Sequence, residues 1–210
     1  ARIQPTFVSN HDNGRFGYFV RKAFPQASDE EQLKRVTLAH AMLLTLRGVP
    51  TIYSGDEQGF AGDGWDQDSR EDMFPSKTAV YNDNVLIGTK ATTAQSNFDT
   101  AHPLYTKMAQ LSGMRQRHAA LRRGKQIVRN YADTPGLFAV SRIDPDDGHE
   151  IVVAFNTSDK AMTVNVEVAT QSTKFGALYG QCPESADTPG RIKLTLAPLD
   201  FAVCEAGAKE

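Results

Sequence analysis

Pro5-Thr6-Phe7-Val8-Ser9-Asn10-His11-Asp12 opens on a short apolar run and ends on polar side chains. The run has the length and composition of a buried strand. A polar turn, His11-Asp12-Asn13-Gly14-Arg15, follows it. Further on, Ser28-Asp29-Glu30-Glu31 has the form of a capping box, with Ser28 as the cap and Glu31 three residues later. Leu33, Val36, Ala39, Ala41, Leu43 and Leu46 then recur at the spacing of an amphipathic helix. Gly48 is placed to end that helix, with Pro50 just beyond. Thr51-Ile52-Tyr53 predicts a second strand, followed by Ser54-Gly55-Asp56-Glu57. Strand, polar loop, helix and strand in that order predict a parallel βαβ unit.

Outward from this unit the pattern changes twice. Residues 58–100 are rich in Gly, Asp and Asn and weakly periodic. A segment of this length without clear elements is usually functional or mobile. A helix begins near His102-Pro103, with Pro in its first turn, and carries Leu104, Met108, Leu111, Met114, His118 and Leu121 at helical spacing. Arg115, Arg117, Arg122 and Arg123 gather toward its C-terminus, where the helix dipole favours them. Beyond this point only short strand-like runs remain: 126–131, 136–143, 150–156, 161–168, 174–179, 191–196 and 201–204. Turn residues such as Asp144-Pro145-Asp146-Asp147-Gly148 separate them, a spacing that predicts an antiparallel sandwich. The expected division is therefore residues 1–123, of α/β type, and residues 124–210, all β.

Composition excludes several classes of partner. The chain has 210 residues, 40% hydrophobic and 23% charged, which is ordinary for a globular protein. Its 23 Lys+Arg against 25 Asp+Glu give a net charge of −2, with no basic cluster for a phosphate backbone, so no nucleic acid is expected. The longest strongly apolar run, near Ala41 to Leu46, is too short to span a bilayer, so no membrane is expected either. Ala1-Arg2-Ile3-Gln4-Pro5 has neither an initiator Met nor a signal peptide and reads like the middle of a protein, which leaves localisation unknown. Cys182 and Cys204 are expected to be free, partly buried thiols, with a single disulfide as the alternative in an exported protein. The five His are scattered, and no metal site or other cofactor is evident.

The chemistry gathers where the first strand ends. An imidazole and a carboxylate just past a buried parallel strand stand where barrel enzymes place catalytic groups. His11 and Asp12 suit a sugar, because together they donate to and accept from vicinal hydroxyls. A carboxylate beside an anomeric carbon also stabilises positive charge developing there. Asn-His-Asp alone is weak, since such clusters are common in turns.

The second motif lifts it. Phe7-Val8-Ser9-Asn10-His11-Asp12 followed by Gly48-Val49-Pro50-Thr51-Ile52-Tyr53-Ser54-Gly55-Asp56-Glu57 resembles the α-amylase family, whose seventh barrel strand ends in F-x-x-NHD and whose eighth reads G-x-P-x-I-Y-x-G-[DE]-E. His102-Pro103-Leu104-Tyr105 through Leu121-Arg122-Arg123-Gly124 looks like the family's final barrel helix. Leu137 to Arg142 and Val152 to Asn156 resemble its C-terminal β-domain. The resemblance implies the C-terminal portion of a (β/α)₈ TIM barrel followed by an antiparallel β-sandwich. By resemblance, Asp12 matches the transition-state-stabilising carboxylate and His11 the imidazole that holds the same sugar; Asn10 shapes the loop. Asp66 and Arg70 look like the family's D-x-x-x-R pair beside a donor-side sugar. The sequence departs from the pattern after Arg70, where Glu71-Asp72-Met73-Phe74 replaces Pro-Met and an aromatic, and a solvated ion pair worth a few tenths of a kcal/mol is the other reading. Trp65 either stacks on a sugar or pins its loop. Asp56 and Glu57 are expected to shape the barrel mouth, and His40 to be a packing residue.

The resemblance also implies what the sequence does not hold. The family's nucleophile Asp and acid/base Glu lie on strands that would precede Ala1, so the chain alone is expected to be inactive and to self-associate through exposed barrel surfaces. The expected parent is a retaining α-glycosidase acting on α-glucans or malto-oligosaccharides, with calcium possible there but not legible here. The alternatives are an α-glucan transglycosylase, or a carbohydrate-binding or scaffold module centred on the β-domain. A binding module would expose aromatics, whereas Phe138, Phe155, Phe175, Tyr179 and Phe201 fall within apolar strands.

Overall fold

A computed structural model describes residues 4–207; residues 1–3, part of the N-terminal stretch read above, and 208–210 lie outside the described residues. The chain divides into two compact units, one of residues 4–44 and 49–112, the other of residues 45–48 and 113–207.

In the first unit, β1 (Pro5–Thr6) pairs in parallel with β2 (Val49–Pro50). The Val49 and Thr51 N–H groups donate to the Gln4 and Thr6 carbonyls at 2.9 and 2.8 Å. Both strands are shorter than the sequence predicts, and the second lies ahead of the apolar run Thr51-Ile52-Tyr53. Among the described residues these two strands pair only with each other, and Phe7 and Ile52 lie beyond the ladder, 48% and 36% exposed.

Helix α1 (Phe16–Ala23) has no counterpart in the sequence reading, which ran from the polar turn to Ser28. Its composition of Gly, aromatics and Val gives little helical propensity. Its N-terminus is instead satisfied from a distance, the Phe16 N–H donating to Ser9 Oγ at 3.0 Å. Gly17 lets it pack closely: a Cβ there would lie 2.9 Å from Ile87 Cδ1 and 3.2 Å from Ala61 Cα. Helix α2 (Asp29–Thr45) starts at Ser28, whose Oγ accepts the Glu31 N–H at 3.2 Å. In place of the other half of the capping box, the Glu31 carboxylate accepts from Arg35. Residues 58–100 contain two 3₁₀ turns, Asp66–Ser69 and Ala79–Asn82, and an isolated bridge between Val85 and Thr92. This segment is tied down rather than loose: Gln58 Nε2 donates to the Asp99 carbonyl, the Asp99 N–H donates back to Gln58 Oε1, and Phe60, Ala61, Leu86 and Ile87 are buried. The next helix, α3 (Pro103–Arg117), starts at its Pro.

The helix expected to run through Leu121 breaks at His118, whose backbone is extended, and α4 (Ala119–Arg123) follows. His118 Nδ1 lies 3.1 Å from Glu205 Oε1, which draws its side chain toward the last strand and out of the helical path. The second unit then builds a five-stranded antiparallel sheet in the order β3 (Lys125–Asn130), β4 (Leu137–Ile143), β5 (Glu150–Asn156), β9 (Phe201–Ala206), β7 (Phe175–Tyr179). A two-stranded sheet of β6 (Met162–Glu167) and β8 (Arg191–Leu196) completes it. Alternation puts Ala139, Val152, Ala154, Ala202 and Cys204 of the large sheet in one core with Val166, Ile192, Leu194 and Leu196 of the small one. Off that core, Phe138, Phe155, Phe201 and Tyr179 form a ladder across β4, β5, β9 and β7, with successive ring centroids 6.0, 6.1 and 4.2 Å apart.

The two cysteines are not free: Cys182 and Cys204 form a disulfide. The reason is topological. β7 pairs with β9, which returns the loop after β7 to Cys204, 22 residues away in sequence.

Candidate active site

The turn after β1 is closed by its own side chain. Asn10 Oδ1 accepts the N–H groups of Asp12 and Asn13 at 3.0 and 2.7 Å. Asn and Asp favour such turns because a short polar side chain imitates a backbone acceptor. Gly14 ends the turn at φ +87°, and a Cβ there would lie 2.7 Å from the Gly64 carbonyl oxygen. The turn and the loop before Asp66 therefore touch backbone to backbone, a contact only glycine permits.

That contact brings the four sequence-predicted site residues together. His11 and Asp12 project from the turn with side chains 62% and 67% exposed, and His11 Nε2 lies 3.3 Å from Asp12 Oδ1. Arg70, 59 positions later, donates through Nε to the His11 carbonyl at 3.3 Å. Its Nη2 binds Asp66 Oδ1 and stands 3.9 Å from Asp12 Oδ1. Asp66 has φ +47°, an unusual backbone for a residue other than glycine, and Ser69 Oγ donates to its carbonyl at 2.7 Å. The result is an exposed group of two carboxylates, one guanidinium and one imidazole. Such a group can hold sugar hydroxyls by charge-assisted hydrogen bonds.

Beneath it lies a buried charge cluster that sequence reasoning missed. Arg15 is fully buried at the N-cap of α1. Its Nη1 donates to Asp56 Oδ1 at 3.2 Å and to the Ser54 carbonyl at 2.9 Å, while its Nε stands 3.0 Å from Glu71 Oε2. The guanidinium lies over the Tyr53 and Phe60 rings, 4.4 and 5.1 Å from their centroids. His40, read as a packing residue, is buried with Nδ1 2.8 Å from the Val36 carbonyl and Nε2 3.4 Å from Asp56 Oδ2. Glu57 accepts the Gly55 N–H at 3.0 Å. Arg15 sits inside a polar turn, and Glu71 falls where the sequence departs from the family pattern. No periodicity marks either residue.

Glu71 carries an electrostatic consequence. Burial pushes its carboxyl up to about 7; Arg15 pulls it down, and Asp63 adds a smaller push upward. One guanidinium serves two buried carboxylates here, so a proton on Glu71 leaves a neutral Arg15–Asp56 pair. The unfolded carboxyl releases its proton near pH 4.5 and the folded one near 7. Between these values the folded state binds the extra proton, so this group's contribution to stability falls as pH rises, by on the order of 3 kcal/mol in all. Glu71→Gln is expected to match the wild type at pH 4.5 and exceed it at pH 8. Urea unfolding across that range checks this, and a wild-type-minus-variant difference that stays flat would refute it.

Among the described residues no group of three or more His, Cys, Asp or Glu is arranged to hold a metal ion, and no helix is long and apolar enough to cross a membrane.

A two-residue parallel ladder, a polar turn at its end and an antiparallel sandwich downstream fit the C-terminal portion of a (β/α)₈ barrel followed by a β-domain, and comparison with known proteins agrees. The family described as alpha amylase, catalytic domain, matches residues 1–124. The chain is 42% identical over its full length to an α-amylase of Streptomyces lividans, of which it covers 23%. Over 80 residues, 37% of the chain, it is 40% identical to a cyclomaltodextrin glucanotransferase of Geobacillus stearothermophilus, covering 10% of that protein. Its fold superposes with a TM-score of 0.72 on an α-amylase of Geobacillus thermoleovorans solved with acarbose, at 19% identity, over 99% of this chain and 40% of that one. The chain belongs to the α-amylase family, and it spans about a quarter of the length of its Streptomyces lividans relative.

Proposed function

We propose that the chain is part of a retaining α-glycosidase acting on α-glucans or malto-oligosaccharides, and that Asp12 is its transition-state stabiliser. The observation that carries this reading is the convergence of His11, Asp12, Asp66 and Arg70, from two distant segments, into one exposed group at the end of a parallel strand. Asp12 holds sugar hydroxyls and opposes positive charge as the anomeric carbon becomes cationic. His11 binds the same sugar, and Arg70 fixes the turn through the His11 carbonyl while pairing with Asp66. Retention requires two further carboxyls about 5–5.5 Å apart, one to attack and one to protonate. By the family resemblance, we propose that other barrel strands of the parent protein supply them.

The similarity to a glucanotransferase supports a second reading, an α-glucan transglycosylase with the same stabiliser. The sandwich offers less to a binding-module reading, because Phe155, Phe175 and Phe201 are buried.

The 210-residue chain should therefore show no turnover of soluble starch or an activated α-glucoside. It should also form dimers or larger species, since β1 and β2 have one ladder neighbour each and Phe7, Val49 and Ile52 are exposed. Turnover that disappears in Asp12→Ala, or a clean monomer by light scattering at tens of micromolar, would contradict these expectations in turn.

A further inference from the structure

We infer that Trp65 is a stacking platform for a glucose unit of the substrate, beside the Asp12–Arg70 group; the inference rests on the α-glucan reading above. Trp65 immediately precedes Asp66, and its backbone lies against the turn that carries Asp12: a Cβ on Gly14 would fall 3.5 Å from Trp65 Cα. Trp65 is nevertheless 57% exposed. Its ring contact is with Phe19, at 5.4 Å between centroids and 85° between planes. Rings that meet at a right angle touch edge to face, so at least one face of the indole stays outside this contact.

A ring retained only to pin its loop would bury its faces, because that is where most of its apolar area lies. Here the loop has other anchors. The Asp68 N–H donates to the Trp65 carbonyl at 3.1 Å, the Asp63 N–H to the Asp68 carbonyl at 3.2 Å, and Ser69 and Arg70 secure Asp66. A half-exposed indole on the residue next to Asp66 and against the turn of Asp12 would match the two sides of a pyranose. The C–H groups of the sugar's flat face cover the ring, and its equatorial hydroxyls reach the charged groups at the edge. The ligand class is a gluco-configured oligosaccharide long enough to extend beyond the sugar that Asp12 holds.

The sequence contains a single Trp, so indole emission from the 210-residue chain reports Trp65 alone. Titration with maltohexaose should shift that emission saturably, whereas sorbitol at equal concentration should not. In the intact enzyme, Trp65→Ala should raise KM for maltohexaose roughly two- to tenfold while kcat stays within about twofold, and Trp65→Phe should recover most of the loss. An unchanged KM in Trp65→Ala overturns the inference. So does a fall in kcat together with melting temperature, which would make the ring a loop anchor. If the intact enzyme turns over no α-glucan, the hydrolase reading fails by itself. The titration then decides alone: flat emission overturns the platform, and a saturable shift with maltohexaose only upholds it.

Discussion

Asp12→Asn in the intact enzyme is expected to lower kcat by about 10²–10³ while KM changes little. The substitution keeps the shape of the side chain and part of its hydrogen bonding. It removes the negative charge, which matters most when the anomeric carbon is cationic. Losing an interaction made mainly in the transition state lowers kcat and kcat/KM together. Folding should be untouched, because the Asp12 carboxylate is two-thirds exposed and the turn is closed through the backbone N–H of this position, which the substitution keeps. His11→Ala should lose less, since imidazole contacts sugar hydroxyls in the ground and transition states alike. Rates of both variants on a malto-oligosaccharide, with melting temperature as the folding control, make the test. A folded Asp12→Asn enzyme with kcat within about threefold of wild type would show that Asp12 is not the stabiliser.

What the sequence made legible was local. Ser28 to Thr45, the Pro at the start of α3 and the strands of the sandwich follow from period and turn chemistry, which need no distant partner. The elements that were misread depend on partners far along the chain. Helix α1 is capped by Ser9 and packs through Gly17 on Ala61 and Ile87, and neither contact leaves a periodic trace. The break at His118 and the disulfide at Cys204 both require knowing which loop or helix lies against β9. The site divides in the same way. His11, Asp12, Asp66 and Arg70 stood out through motifs, but Gly14, which lets their two loops meet, reads in sequence only as a turn residue.

The buried group under the turn shows why that blindness matters, and it sets the other large expected effect. Arg15→Leu should destabilise the protein by about 3–5 kcal/mol, the usual loss when one member of a buried ionic group is removed and its partners are left uncompensated. Asp56 and Glu71 would then face each other across an apolar side chain, both buried, with no cation between them. Proton uptake by Glu71 relieves only part of this, because Asp56 Oδ1 and the Ser54 carbonyl still lose the N–H that Arg15 donates to both. Arg15→Lys should fall between, since an ammonium keeps the charge but not the fork that meets Asp56, Ser54 and Glu71 at once. The combined variant Arg15→Leu, Asp56→Asn, Glu71→Gln removes the charges as well as the cation and should regain much of the stability, as neutral replacements of buried ionic groups often do. Because Arg15 stands three residues after Asp12, at the N-cap position of α1, the intact enzyme should lose kcat in Arg15→Leu even where it remains folded. Urea unfolding of the four proteins at pH 7.5 separates charge from packing. If Arg15→Leu stays within about 0.5 kcal/mol of wild type, or the triple variant is no more stable than the single one, the charges beneath the turn do not hold it in place.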